Sequence, residues 1–188
     1  MDRRLFLSAL TASLALPAKA EVVLGDDGLH DQPFFLDSFL ELGPDLEEAG
    51  ADGKGLIVLF EQRGCPYCRE LHRVNFERSE ITDYLTTHFN VLQLDMWGSR
   101  EVIDLDGEAR EERRLAAKWF VNFTPTQVFL SPTTGGEVFR MPGYFKPFHH
   151  LSALEYVATG ANDEQPFQRF LQDKFAEYEA KGIDPDVW

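Results

Sequence analysis

Cysteine is scarce in this sequence: two in 188 residues, standing only three positions apart as Cys65 and Cys68. A four-thiolate structural zinc site needs two such pairs and is excluded. A stabilising staple would be a poor use of them as well. In the chain-entropy account a bridge closing four residues contributes about 2 kcal/mol, against about 4.7 for a loop of 100. Basic residues are the second shortage, 18 Lys and Arg against 32 Asp and Glu, for a net charge of −14. Such a surface repels nucleic acid and anionic lipid and favours neutral or basic partner surfaces. Internal repeats and low-complexity tracts are missing too. What remains, 44% apolar and 13% aromatic residues, is enough for one ordinary core and one globular domain.

The first twenty residues have a different character. Asp2-Arg3-Arg4, a mostly apolar run over 5–16 and Ala18-Lys19-Ala20 read as the n-region, h-region and A-x-A cleavage site of a signal peptide. The run falls short of the about 20 residues that cross a bilayer core, so no membrane anchor is expected after cleavage. Arg3-Arg4-Leu5-Phe6-Leu7 resembles the core of twin-arginine signals. Either export route ends outside the cytoplasm of a bacterium, and the periplasm is the expected location. Residues 1–20 are thus expected to be signal, 21–33 an N-terminal extension, and 34–188 the folded domain.

Along that domain, Phe35, Phe39, Leu42 and Leu46 form one helical stripe, which predicts an amphipathic helix over 34–49. The apolar run 55–60 suits a strand buried on both faces. Residues 66–76 and 79–89 read as helical, 90–95 as a second strand, and the strand-helix-strand unit should cross over right-handed. The polar, glycine-punctuated stretch 96–108 reads as an insertion loop, 109–120 as a helix, and 127–130 with 137–141 as a hairpin. Helices over 147–158 and 163–181 close the chain, the part from 160 to 188 being a helical extension. The expected class is α/β. Its order is that of the thioredoxin fold, a mixed sheet of four or five strands flanked by helices, with extra helices at both ends.

The chemistry concentrates at Gly64-Cys65-Pro66-Tyr67-Cys68, where a buried strand gives way to a helix. Unpaired N–H groups at a helix start favour a thiolate there, and Pro66 at the first helical position gives up only an N–H that would be unpaired anyway. A helix-terminus interaction of up to about 2 kcal/mol would bring a thiol from about 8.5 to about 7, leaving about half of it ionised at neutral pH. Cys65 is therefore the candidate nucleophile. Cys68, one turn on, is the candidate resolving thiol, and the two form the expected redox-active disulfide. No cofactor is needed, since two sulfurs carry the electron pair. Arg63 and Arg69 add positive potential or are ordinary solvated charge.

A zinc- or copper-binding module is the rival use of C-x-x-C, with His72 or His149-His150 as further ligands. His72 reads better as a residue that packs or hydrogen-bonds on the helix surface, and no metal is expected. Asp104-Leu105-Asp106-Gly107-Glu108 lacks calcium-loop spacing and reads as solvated loop. Trp97, Trp119 and Tyr144 read as core or rim aromatics. Pro125, in Phe123-Thr124-Pro125-Thr126, would block a ladder bond within a central strand and so marks a strand entrance or a tight cis turn.

With these motifs in place, the chain resembles the SoxW family of periplasmic thioredoxins. The resemblance runs from about 35 to 170. It rests on Phe60-Glu61-Gln62-Arg63-Gly64-Cys65-Pro66-Tyr67-Cys68 with His72, on Val121-Asn122-Phe123-Thr124-Pro125-Thr126, and on Pro142-Gly143-Tyr144. It implies a cis-proline loop facing the cysteines, with Pro66, Tyr67, Thr124 and Pro125 binding substrate. It also implies a monomer that reduces a disulfide-bearing protein in sulfur oxidation, with electrons from a membrane thiol transporter of the CcdA type. Two features depart from ordinary thioredoxins: Pro66-Tyr67 replaces Gly-Pro, as in glutaredoxins, and Leu59 stands where a buried acid is usual. Glu61 or water would then relay the Cys68 proton. A thiol donor for cytochrome c maturation, or a disulfide oxidase, is the alternative within redox chemistry.

Overall fold

The computed structural model describes residues 22–184, so the signal-peptide reading of 1–20 lies outside the described residues. The sheet is built on β1 (Gly55–Glu61), whose residues alternate between two cores. Leu56, Val58 and Phe60 point to one side, where α1 (Leu42–Ala51) and α4 (Glu112–Lys118) cover them with Leu42, Leu46, Leu115 and Ala116. Ile57 and Leu59 point to the other, under α3 (Ser79–His88) and α5 (Pro147–Ala158), against Ile81, Leu85 and Leu154. Burial on both faces explains why this strand reads as a continuous apolar run.

Four strands pair in the order β2-β1-β5-β6, with β2 over Phe89–Asp95, β5 over Thr126–Ser131 and β6 over Gly136–Pro142. β2 runs parallel to β1, whereas β5 and β6 are antiparallel to their neighbours. The thioredoxin fold expected from the element order is the fold observed. The C-terminal ends of β1, β2 and β6 and the start of β5 share one edge of the sheet, because Phe60 pairs with Thr126, Glu61 with Asp95, and Thr126 with Pro142. Among the described residues no helix is long and apolar enough to cross a membrane.

Several boundaries differ from those expected. The first helix begins at Leu42 rather than 34. Pro44 fits its first turn but lacks the N–H that a longer helix would need there. Residues before it run beside the sheet instead, with Leu36 N–H donating to Val91 O at 2.8 Å. The active-site helix α2 (Pro66–Glu70) passes into a π turn, Leu71–Asn75. The last helix, α6, spans Phe167–Ala180, after a 3₁₀ turn at Ala161–Asp163.

The stretch 96–108 is not an irregular loop. It carries β3 (Glu101–Ile103), which pairs with β4 (Ala109–Glu111), so the helix expected from 109 starts only at Glu112. Buried Glu112 organises this ribbon, accepting hydrogen bonds from the Asp95 and Arg100 backbone N–H groups and from the Arg100 guanidinium. Asp104 and Asp106 are answered by Arg110 and Lys118, which fill with basic groups the place a cation would take.

Candidate active site

Cys65 caps α2 in extended conformation, with Pro66 at the first helical position. Its sulfur is bonded to that of Cys68, the two Cα atoms lying 5.2 Å apart. Cys68 is fully buried and Cys65 only 3% exposed, while Pro66 and Tyr67 between them face solvent. The turn that presents them needs Gly64 at φ +68°, left-handed backbone that a side chain disfavours.

Two donors converge on Cys65 Sγ. The Cys68 backbone N–H lies 3.0 Å away and the Thr124 hydroxyl 3.3 Å away. The Thr124 carbonyl oxygen is also close, at 3.5 Å. Thr124 reaches the sulfur because the loop before β5 crosses the same sheet edge, and its peptide bond to Pro125 is cis. Cys65, Cys68, Pro66, Tyr67, Thr124 and Pro125 are thus one constellation. Trp97 and Phe123 stand exposed on the same edge. The Trp97 indole donates to Gln62 Oε1 at 2.6 Å, whereas Trp119 packs edge-on against Phe60 within the core.

Glu61 ends β1 on the side that Ile57 and Leu59 fill with hydrocarbon, and it is fully buried. Its partners are His72, with Nε2 3.0 Å from Oε1, and Gln93, whose amide donates to Oε2 at 2.7 Å. His30 adds Nδ1 3.6 Å from Oε2. Burial alone would raise the Glu61 pKa, but His30 and His72 together hold it below the ordinary carboxylate value. His72 is therefore no surface residue: it is fully enclosed, with Gln32 Nε2 3.1 Å from its Nδ1. These three ligand-type side chains cluster without either cysteine. His30, Gln32 and Gln93 escaped sequence reading because they lie 30 or so positions from Glu61. Helical spacing from Cys68 to His72, and a carboxylate in core register after Leu59, were the available signals.

Disulfide chemistry is what this arrangement can do. A dithiol within one helical turn takes up and releases two electrons by exchange with another disulfide, and the protein is a thiol–disulfide oxidoreductase of the thioredoxin fold. More particularly, the chain belongs to the thioredoxin-like domain family, whose model matches residues 42–158. It is similar to a thioredoxin-fold protein from Helicobacter pylori, at 24% identity and TM-score 0.53, over 68% of this chain and 83% of that one. A thioredoxin from Thermus thermophilus is 28% identical over 61% of this chain and 81% of its own, with TM-score 0.48. No curated protein sequence matches the chain.

Proposed function

We propose that this oxidoreductase works in the periplasm as a SoxW-like reductase. It would reduce disulfides of a partner protein of sulfur oxidation and be recharged by a membrane thiol transporter of the CcdA type. The observation that carries the disulfide-exchange reading is the pair of donors on Cys65 Sγ, which favours a thiolate at the attacking position; the reductase direction follows from the SoxW resemblance. In the reduced enzyme Cys65 thiolate attacks one sulfur of the partner's disulfide, forming a mixed disulfide and expelling the partner's other sulfur as thiolate. Cys68 then gives up its proton, relayed by Glu61 or by water, and attacks Cys65 Sγ. The second partner thiolate leaves, Cys65–Cys68 is oxidised, and the partner has gained two electrons. Tyr67, Thr124 and Pro125 flank the position the partner's cysteine must occupy.

Equilibration with glutathione buffers tests the direction. A reduction potential towards the thioredoxin end, about −270 mV, is expected, and one near −120 mV would mark an oxidase instead. With Cys68→Ser the mixed disulfide should persist through Cys65. Recovery of a sulfur-carrier protein in it supports the pathway, and recovery only of cytochrome c maturation proteins sinks it.

A further inference from the structure

We propose that His30, Glu61 and His72 form a binding site for one small divalent transition-metal ion of the zinc class, beneath the active-site helix and separate from the two cysteines. Each offers one ligand atom, and these atoms lie within 4.8 Å of one another. His72 Nε2 is 3.0 Å from Glu61 Oε1, and His30 Nδ1 is 3.6 Å from Glu61 Oε2. A tetrahedral ion with bonds of about 2.0 to 2.1 Å wants its ligand atoms about 3.3 Å apart. Small side-chain rotations therefore suffice to gather the set around an ion.

Unfilled valence supplies a second, independent indication. His30 is 6% exposed, yet its Nδ1 is buried with no hydrogen-bond partner among the described residues. A buried nitrogen of this kind normally finds a donor or an acceptor. Here it faces the carboxylate from just beyond hydrogen-bond range, where a cation between the two would satisfy both.

The surroundings match what metal ligands require. Gln32 meets the far nitrogen of His72, and Gln93 holds Glu61 Oε2 while also donating to His30 O at 2.6 Å. Outer partners of this type fix ring and carboxylate orientation in metal sites. With the Gln32 amide turned over, its oxygen would accept from His72 Nδ1–H and leave Nε2 free for the ion. Phe35 and Phe76 stand edge-on to the His72 ring, at 5.8 and 5.1 Å, and keep the site dry. Two imidazoles and one carboxylate, with no thiolate, suit zinc and its first-row neighbours rather than calcium or copper(I). The ion takes the place of the hydrogen bond between His72 Nε2 and Glu61 Oε1, so the two arrangements exclude each other.

The full chain with Cys65→Ser and Cys68→Ser, stripped with a chelator, isolates this site from the thiols. Zinc titration followed by calorimetry and native mass spectrometry should show one ion per chain, and cobalt in its place should give the visible absorption of a tetrahedral N/O site. His30→Ala should weaken binding at least tenfold, and Gln32→Ala, which touches only the outer nitrogen of His72, about tenfold. Circular dichroism of both variants should be unchanged. Absence of zinc uptake by the double-serine chain overturns the proposal, and so does uptake that His30→Ala leaves intact.

Discussion

The Glu61 carboxylate and the His72 imidazole meet 3.0 Å apart with neither side chain touching water. A carboxylate on an otherwise aliphatic strand face is tolerated because donors surround it. Its stabilisation has a definite pH dependence. Burial raises its pKa, His30 and His72 outweigh that, and the folded value ends below the ordinary 4.5. The contribution is thus fully present above pH about 4.5 and is lost as pH falls through the depressed folded value. Glu61→Gln should cost about 2 kcal/mol at neutral pH, leaving His72 without its charged partner. It should also flatten the acid limb below pH 4.5, as read by urea unfolding at stepped pH.

His150 should dominate a different window. It is enclosed between Asn75, whose amide lies 2.9 Å from Nδ1, and Gln127, whose Oε1 lies 3.1 Å from Nε2. Those partners suit a neutral ring that accepts at Nδ1 and donates at Nε2. Burial pushes the His150 pKa down to about 4 from 6.5. The unfolded chain binds a proton that the folded one refuses, so stability drops as pH falls from about 6.5 to about 4, by roughly 3 kcal/mol in all. In His150→Gln the drop across that interval should be absent, whatever the variant's stability at pH 7.

Thr124 offers a test of the attacking sulfur. Its hydroxyl is one of two donors on Cys65 Sγ. A hydrogen bond to a charged group contributes about 1.5 kcal/mol, equivalent to about one pKa unit. Alkylation of the reduced protein across a pH series should therefore place Thr124→Val about one unit higher at Cys65, with Thr124→Ser restoring the original profile. Identical profiles for Thr124→Val and the unaltered protein would remove the hydroxyl from the mechanism.

Gly98 tests the ribbon beside the site. A Cβ there would lie 1.9 Å from Glu112 Oε2 and 2.9 Å from the Asp95 side chain. Gly98→Ala must displace the carboxylate that holds both Asp95 and Arg100. A loss of about 1 to 3 kcal/mol in chemical denaturation is expected, with the redox potential of the cysteines unaltered.

Local signals carried most of what could be read in advance. The β1 run, the Cys65–Cys68 spacing and Pro66 each announce themselves within six residues, and the structure places them where that reading put them. Medium-range features fared less well. Glu101–Ile103 is too short and polar to register as a strand, and it exists because Ala109–Glu111 lies beside it and Glu112 ties both to β2. The stripe Phe35, Phe39, Leu42, Leu46 has helical period, yet Phe39 is almost wholly exposed. Periodicity there was accidental, and Pro44 was the better guide. Glu61 entered as a candidate proton relay through the SoxW resemblance, because Leu59 stands where a buried acid is usual. Its two histidines and Gln93 were not legible as its partners, since only the folded topology brings residues 30, 72 and 93 to one carboxylate and Gln32 to the far nitrogen of His72.

The partners His30 and Gln32 belong to the segment ahead of α1, outside the 42–158 span that defines family membership. A recombinant fragment cut to that span would retain both sulfurs and every strand of the main sheet. It would nonetheless strip two polar neighbours from beneath the catalytic helix and open the Glu61–His72 pair to water, so homology alone draws the wrong border for the unit that must fold together.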